Sequence, residues 1–433
     1  MTEQSAPLRT DPPHTDPSRT DPSRTDPLPI DPSGSDIHAE GARLRARGPV
    51  AQAELPGGVT AWVVTDDALA RSLLTDDRVS KDAYLHWPAW ENGEGELARS
   101  WPLASWVAER SMINAYGGDH RRLRKLVAKA FTARRTAALR PTVQTLVADL
   151  LDDIAATTPG HPVDIRGDFA YPLAIRVICE LLGIPHDMRA DLFRVVADMF
   201  RTSATLEEVQ ATGEELHGLM TALIAHKRRT PGDDLVSALI AARDDEESAG
   251  LDEVELVDMV LLMIGAGHET TVNLLDQAIH SLLTHPEQLR LIENGDASWD
   301  DAIDEALRHE APIANLPMRF AVEDIEAGQV TIAKGDALII SYSAIGRDPA
   351  VHGADADAFD ISRPTRQDHI SFGYGVHRCV GAPLARLEAS LALPMLFARF
   401  PGISLAVTTD RLQPLESFVS NGHRTLPVLL KQA

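Results

Sequence analysis

Ten residues, Phe-Gly-Tyr-Gly-Val-His-Arg-Cys-Val-Gly at 372–381, constrain this chain more than any other stretch. Glycine is used where a backbone must turn sharply or lie close against another body, and Gly375 and Gly381 suit both uses. Cys379 sits between them, and an apolar helical pattern follows over 382–400. Amides at the start of that helix would point at the sulfur and lower its pKa. Phe372 is placed to shield the sulfur from water. With 10 Phe, 28 Gly and 2 Cys among 433 residues, this spacing arises by chance about 2 × 10⁻⁴ of the time. The pattern therefore predicts a loop built to present a thiolate, rather than an inert cysteine beside a turn. The other cysteine, Cys179, lies in an apolar helical run and reads as core.

A second feature lies upstream. Residues 251–283 read as one helix, on the order of 50 Å long at 1.5 Å per residue. Asp252 and Glu255 form a capping box at its start, and His285-Pro286 closes it. Its middle is Ile264-Gly-Ala-Gly-His-Glu-Thr-Thr271. Small residues there let another body approach, and a threonine hydroxyl can bond the carbonyl one turn earlier and open the helix locally. Glu269 beside Thr270, an acid next to an alcohol in an apolar helix, suits a short proton relay.

The rest of the chain sets bounds. Asp-Pro recurs at Asp11, Asp16, Asp21, Asp26 and Asp31, with almost nothing apolar between, so residues 1–35 read as a disordered extension and 36–433 as the folded domain. Asp36 caps a first helix, 59–64 reads as a strand, 139–292 is mainly helical, and strand-like runs return at 330–332 and 337–341. Many helices with a few small sheets and no βαβ alternation give a mostly α, α+β architecture. A net charge of −23 excludes a nucleic-acid binder. Two distant cysteines exclude a disulfide framework, and the longest apolar stretch, 260–267, is far short of a membrane span. No basic region leads into an apolar run at the N-terminus, so the expectation is a cytoplasmic, membrane-free protein.

The cysteine loop resembles the haem-binding signature of the cytochrome P450 superfamily, Phe-x-x-Gly-x-x-x-Cys-x-Gly, and matches every fixed position. The helix centre resembles the family's Ala/Gly-Gly-x-Asp/Glu-Thr segment, and the likeness runs from about Asp36 to the C-terminus. Tyr374 and Val380 depart from common family wording, both at non-fixed positions. The resemblance implies the P450 fold, a helix-rich triangular prism with small β-sheets and a long central helix over haem b. It implies that Cys379 is the iron ligand, with Phe372, Gly375, His377 and Gly381 around it and Ala266 on the opposite helix. Thr270 and Glu269 become the catalytic pair that delivers protons for oxygen activation. His120 and Arg124, in Asp-His-Arg-Arg-Leu-Arg-Lys, then hold the haem propionates together with His377 and with Arg319, placed ahead of the strand pair. Glu305, Arg308 and Arg363 resemble the family's structural trio.

The implied reaction inserts one oxygen atom from O₂ into a C–H bond of a small hydrophobic substrate, a specialised metabolite or steroid-like molecule, as soluble actinobacterial members do. Neither an iron–sulfur nor a flavin segment is visible, so electrons from NAD(P)H arrive through an external ferredoxin and ferredoxin reductase. Arg121, Arg122, Arg124, Lys125, Lys129, Arg134, Arg135 and Arg140 form a basic stretch without an acid, which suits an acidic carrier or is simply a solvated face. Trp87, Trp90, Trp101 and Trp106 either line a substrate pocket or pack the domain. A monomer is expected. An oxidative coupling enzyme shares all these motifs. A peroxygenase is disfavoured by the Glu269–Thr270 pair, and a non-enzymatic haem sensor or carrier leaves that pair unexplained.

Overall fold

The computed structural model describes residues 26–129, 131–158, 160–196, 198–243 and 250–430. At its centre is the helix Glu253–Thr284. Asp252 and Glu255 close the expected capping box, with Glu255 N donating to Asp252 Oδ1 at 2.7 Å and Asp252 N to Glu255 Oε2 at 2.9 Å. The helix is apolar on nearly every side because it is wrapped on nearly every side. Tyr171–Leu182, Leu206–Arg229, Trp299–His309 and Ala382–Arg399 all pack on it. None of the helices among the described residues is long and apolar enough to cross a membrane.

A six-stranded sheet flanks the helices in the order Leu28–Pro29, Val50–Leu55, Val59–Val64, Ala337–Ser341, Asn315–Ala321, Val79–Ser80. Val50–Leu55 and Val59–Val64 form a hairpin about Gly57 and Gly58, both at positive φ, as the Pro-Gly-Gly turn predicts. Val330–Ile332 pairs instead with Ile325–Ala327 in a separate two-stranded sheet. Sequence reading put Arg319 ahead of the first strand of its pair; it lies inside Asn315–Ala321, paired with Leu338 across a register shift. Pro317 and the buried arginine disguise that strand, since neither belongs in an ordinary central strand.

The boundary drawn at residue 35 also moves. Leu28–Pro29 pairs in parallel with Ala53 and Glu54. Asp31 accepts bonds from Ser33 N and Ser35 N, while its own N–H donates to the buried Glu40 at 3.0 Å. Proline is tolerated at such a sheet edge because its missing N–H faces outward. Residues 1–25 of the expected extension lie outside the described residues.

The domain is tied together behind the cysteine loop by Arg308 and Glu305, both fully buried. Arg308 donates twice to Glu305 (2.7 and 2.6 Å) and once each to the carbonyls of Gly346, Ala356 and Ala358, which uses the whole guanidinium fork. Arg363 Nε stands 3.6 Å from Glu305, completing the trio.

Candidate functional site

The cysteine loop is held by its own backbone. Cys379 N donates to the Phe372 carbonyl at 2.8 Å, Gly373 N to Ile370 at 2.7 Å and Arg378 N to Gly375 at 3.1 Å. Gly373 and Gly375 turn at φ +73° and +70°. Gly373 was not singled out from sequence, because its position is not fixed in the signature. A Cβ on Gly375 would sit 2.3 Å from the Leu74 carbonyl, so this glycine serves the turn and its packing rather than the cavity wall. Gly381 lines the cavity, and a Cβ there would meet the Cys379 sulfur at 3.7 Å, an ordinary contact.

Cys379 is exposed, and what its side chain opens onto is an internal cavity of about 350 Å³. Burial pushes the thiol's pKa up, against the pull of the Gly381 and Ala382 amides and of Arg124 and Arg378. The helix-start amides thus act in the expected direction, but burial outweighs them. Ionising this sulfur calls for a bound cation, and a coordinated metal removes the thiol proton outright.

The central helix contributes Ala266 and Thr270 to the lining of the same cavity. Thr270 Oγ1 donates to the Ala266 carbonyl at 2.8 Å, the local bond that sequence predicts. The flanking Gly267 serves a different neighbour: a Cβ there would lie 2.3 Å from Ile178 Cδ1. Glu269 is not beside Thr270 in space. Adjacent helix positions differ by about 100°, so the hydroxyl faces the cavity while the carboxylate is buried behind the helix. There Glu269 accepts from Arg166 Nη2 at 2.8 Å, and burial, opposed by Arg166, raises its pKa. Arg166 also donates to Asn273 Oδ1 at 2.8 Å and stands 3.6 Å from Asp276. Sequence reasoning missed Arg166, whose Asp-Ile-Arg-Gly-Asp setting resembles any surface turn.

At the cavity rim the structure gathers His120, Arg124, Arg319 and His377, the expected propionate ligands, and adds Lys81. The His120 and His377 rings lie 4.0 Å apart at a 40° tilt, and among the described residues His120 Nε2 is buried without a partner. Burial, then Arg124 and Arg121, push the His120 pKa down to about 4, and burial with Arg319 depresses His377 too. Arg319 bonds Tyr342, and Arg124 donates to the Arg378 carbonyl at 2.5 Å. Among the described residues none of the five meets a carboxylate. Haem brings a metal for the sulfur and two carboxylates for this rim, so the donor set fits it.

Other expectations divide. Trp87, Trp90 and Trp101 are core, with Trp87 stacked on Trp90 and Phe320 and edge-on to Trp101, whereas Trp106 lines the cavity against Phe200. Of the basic stretch, Arg122 is drawn inward to Glu255 and Arg124 to the rim, while Arg121, Lys125, Lys129, Arg134 and Arg140 remain exposed.

The model of the family described as Cytochrome P450 matches residues 174–295 and 299–420. A 2-hydroxy-5-methyl-1-naphthoate 7-hydroxylase from Streptomyces carzinostaticus is 44% identical over 92% of this chain and 96% of its own length. The cytochrome P450 monooxygenase PikC of Streptomyces venezuelae is 37% identical, covering 91% of each chain. The structure of CYP154A1 from Streptomyces coelicolor A3(2) superposes with a TM-score of 0.89 at 49% identity, over 93% of this chain and all of that one.

Proposed function

The chain belongs to the cytochrome P450 family and is a monooxygenase of it, and from that premise we propose a substrate class, a source of electrons and residue roles. It inserts one atom of O₂ into a C–H bond of a small, largely apolar specialised metabolite or steroid-like molecule. It uses haem b and electrons passed from NAD(P)H by an external ferredoxin and its reductase. The observation that carries this reading is one cavity lined together by Cys379, Thr270 and a cluster of bases.

In this reading Cys379 would hold the haem iron, bordered by Phe372 and Gly381, and His120, Arg124, Arg319 and His377 would hold the propionates. Bound haem supplies the oxygen activation. Thr270, by leaving the Ala266 carbonyl, positions water at the cavity wall and passes protons inward. Glu269 feeds that water from behind the helix, and must exchange its bond to Arg166 to do so. Substrate lies among Leu103, Trp106, Met199, Phe200, Leu262 and Ile313, whose apolar surfaces favour a hydrophobic guest. The naphthoate hydroxylase among the relatives points to the same size class. An acidic ferredoxin meets exposed Arg121, Lys125 and Arg378, the last of them two positions along the cysteine loop from Val376, which is 62% exposed. The cytoplasm is the setting that such a carrier requires.

An optical spectrum of the reduced protein under carbon monoxide tests the core of this. A strongly red-shifted Soret band is expected, and its loss in Cys379→Ala. A histidine-type band in the wild type would overturn the ligand. Spin-state titration against a panel of polyketide and steroid compounds then tests the substrate class.

A further inference from the structure

We infer that Lys81 is a fifth basic ligand of the haem propionates, an inference that rests on the haem reading above. Lys81 directly follows the strand Val79–Ser80, in which Val79 pairs with Ala321 and Ser80 with Phe320. Continuing that antiparallel register sets Lys81 across from Arg319. Its side chain is on the cavity rim and only 2% of the residue is exposed.

A lysine this deep is ordinarily paired, because an isolated ammonium out of water is strongly disfavoured. Lys81 has no ion pair and no side-chain hydrogen bond among the described residues. The adjacent carboxylate is no partner either: Asp82 Oδ1 accepts from Leu85 N and caps the helix Ala83–His86. The groups that face Lys81 are Arg319 and His377, with His120 and Arg124 beyond, all of them bases. Burial and then Arg319 accordingly drive its pKa well below the usual lysine range. Two basic side chains buried side by side describe a site for an anion, and a carboxylate is the anion that Arg319 and Lys81 would both pair with.

That carboxylate could belong to haem or to a substrate acid, and the rim position shared with His120, Arg124, Arg319 and His377 favours haem. Full-length wild type, Lys81→Met and Lys81→Arg are compared, each loaded with haem or with haem dimethyl ester. Transfer of haem to an excess of apomyoglobin is timed. Lys81→Met is expected to lose haem about ten- to a hundredfold faster, Lys81→Arg to stay near wild type, and the ester to erase the difference. The haem-free chain gives a second, opposite-signed readout: removing an unpaired buried ammonium should raise the urea midpoint of apo Lys81→Met. Haem loss within twofold of wild type would overturn the assignment, as would a loss equally fast with the ester. So would unchanged haem loss together with weaker binding of 1-naphthoate, but not naphthalene, since Lys81 would then serve substrate. Failure of the haem reading is separately visible as absence of the red-shifted carbon monoxide band in wild type.

Discussion

Replacing Arg166 with leucine isolates what holds Glu269 back. The guanidinium binds Glu269 at 2.8 Å and Asn273 at 2.8 Å, with Asp276 at 3.6 Å, and both Arg166 and Glu269 side chains are 7% exposed. Asp276 keeps His423, which approaches through its backbone N at 2.8 Å and its ring Nδ1 at 3.0 Å, so it stays compensated. Glu269 is left with the Asn273 amide alone and escapes by taking a proton. For an acid whose ordinary pKa is near 4.5, remaining neutral at pH 7 costs about 3.4 kcal/mol, at about 1.4 kcal/mol per pH unit. That falls within the range of about 3–5 kcal/mol for breaking a buried pair. The sign follows from proton binding. Between the ordinary carboxylate value and the raised folded one, the native variant holds a proton that the unfolded chain has lost, so stability falls as pH rises. Urea unfolding of the holoprotein, followed by Soret absorbance, should show Arg166→Leu weaker at pH 7 by at most about 3 kcal/mol, since burial already raises Glu269 in the wild type, and by under about 1 kcal/mol at pH 5. Adding Glu269→Gln should restore most of the loss at pH 7. A deficit that does not change with pH, or one that Glu269→Gln fails to relieve, would refute the argument.

Thr270→Ala removes one hydrogen bond to the Ala266 carbonyl, worth about 0.5–1.5 kcal/mol, and should barely move the unfolding midpoint. Product formed per NADPH consumed should fall several-fold, with peroxide making up the difference, and full coupling would take Thr270 out of the relay. Glu388 is buried on the helix after the cysteine loop, its Oε2 without a hydrogen-bond partner among the described residues, and burial alone lifts its pKa well above the ordinary 4.5. From that value upward the wild type should lose about 1.4 kcal/mol per pH unit that Glu388→Gln does not, and parallel stability curves would count against a neutral Glu388. Arg121→Glu with Lys125→Glu should raise the apparent KM for ferredoxin several-fold at low salt and little at high salt; Arg122 is unsuited to this test because Glu255 already holds it.

What was legible in the sequence was what short-range physics decides. The capping box at Asp252 and Glu255 placed the central helix within two residues of its observed start, and the Pro-Gly-Gly turn placed Val59–Val64. The cysteine loop was legible because thiolate presentation needs a fixed local spacing. Arg166, Lys81 and the direction of Glu269 were not, since each depends on a partner over 100 residues away or on helix phase rather than on neighbours in the chain. The strand Asn315–Ala321 was hidden by the very residue, Arg319, that it carries to the rim. The folded boundary was misplaced for a similar reason. Leu28 and Pro29 look like more of the Asp-Pro repeat, and only the edge offered by Val50–Leu55 makes them a strand.

Satisfaction of hydrogen bonds separates the two kinds of buried base in this molecule better than burial does. Arg308 is fully enclosed with its donors fully used by Glu305 and three carbonyls, so nothing further is asked of it, and its role is to join segments. Lys81 is almost as deep and His120 Nε2 is deeper than water reaches, yet neither has an acceptor among the described residues. A chain with 64 acids and 41 lysines and arginines has carboxylates in excess and could have supplied one to the rim. That none of the described residues supplies one where five bases converge leaves the protein part of this site incomplete as an electrostatic unit. The two histidines meet that gap by staying neutral, their pKa held down, but the guanidinium groups of Arg124 and Arg319 cannot, and a ligand carboxylate returns the missing negative charge, which makes the rim, as much as the cysteine, a reason to expect a dicarboxylate cofactor.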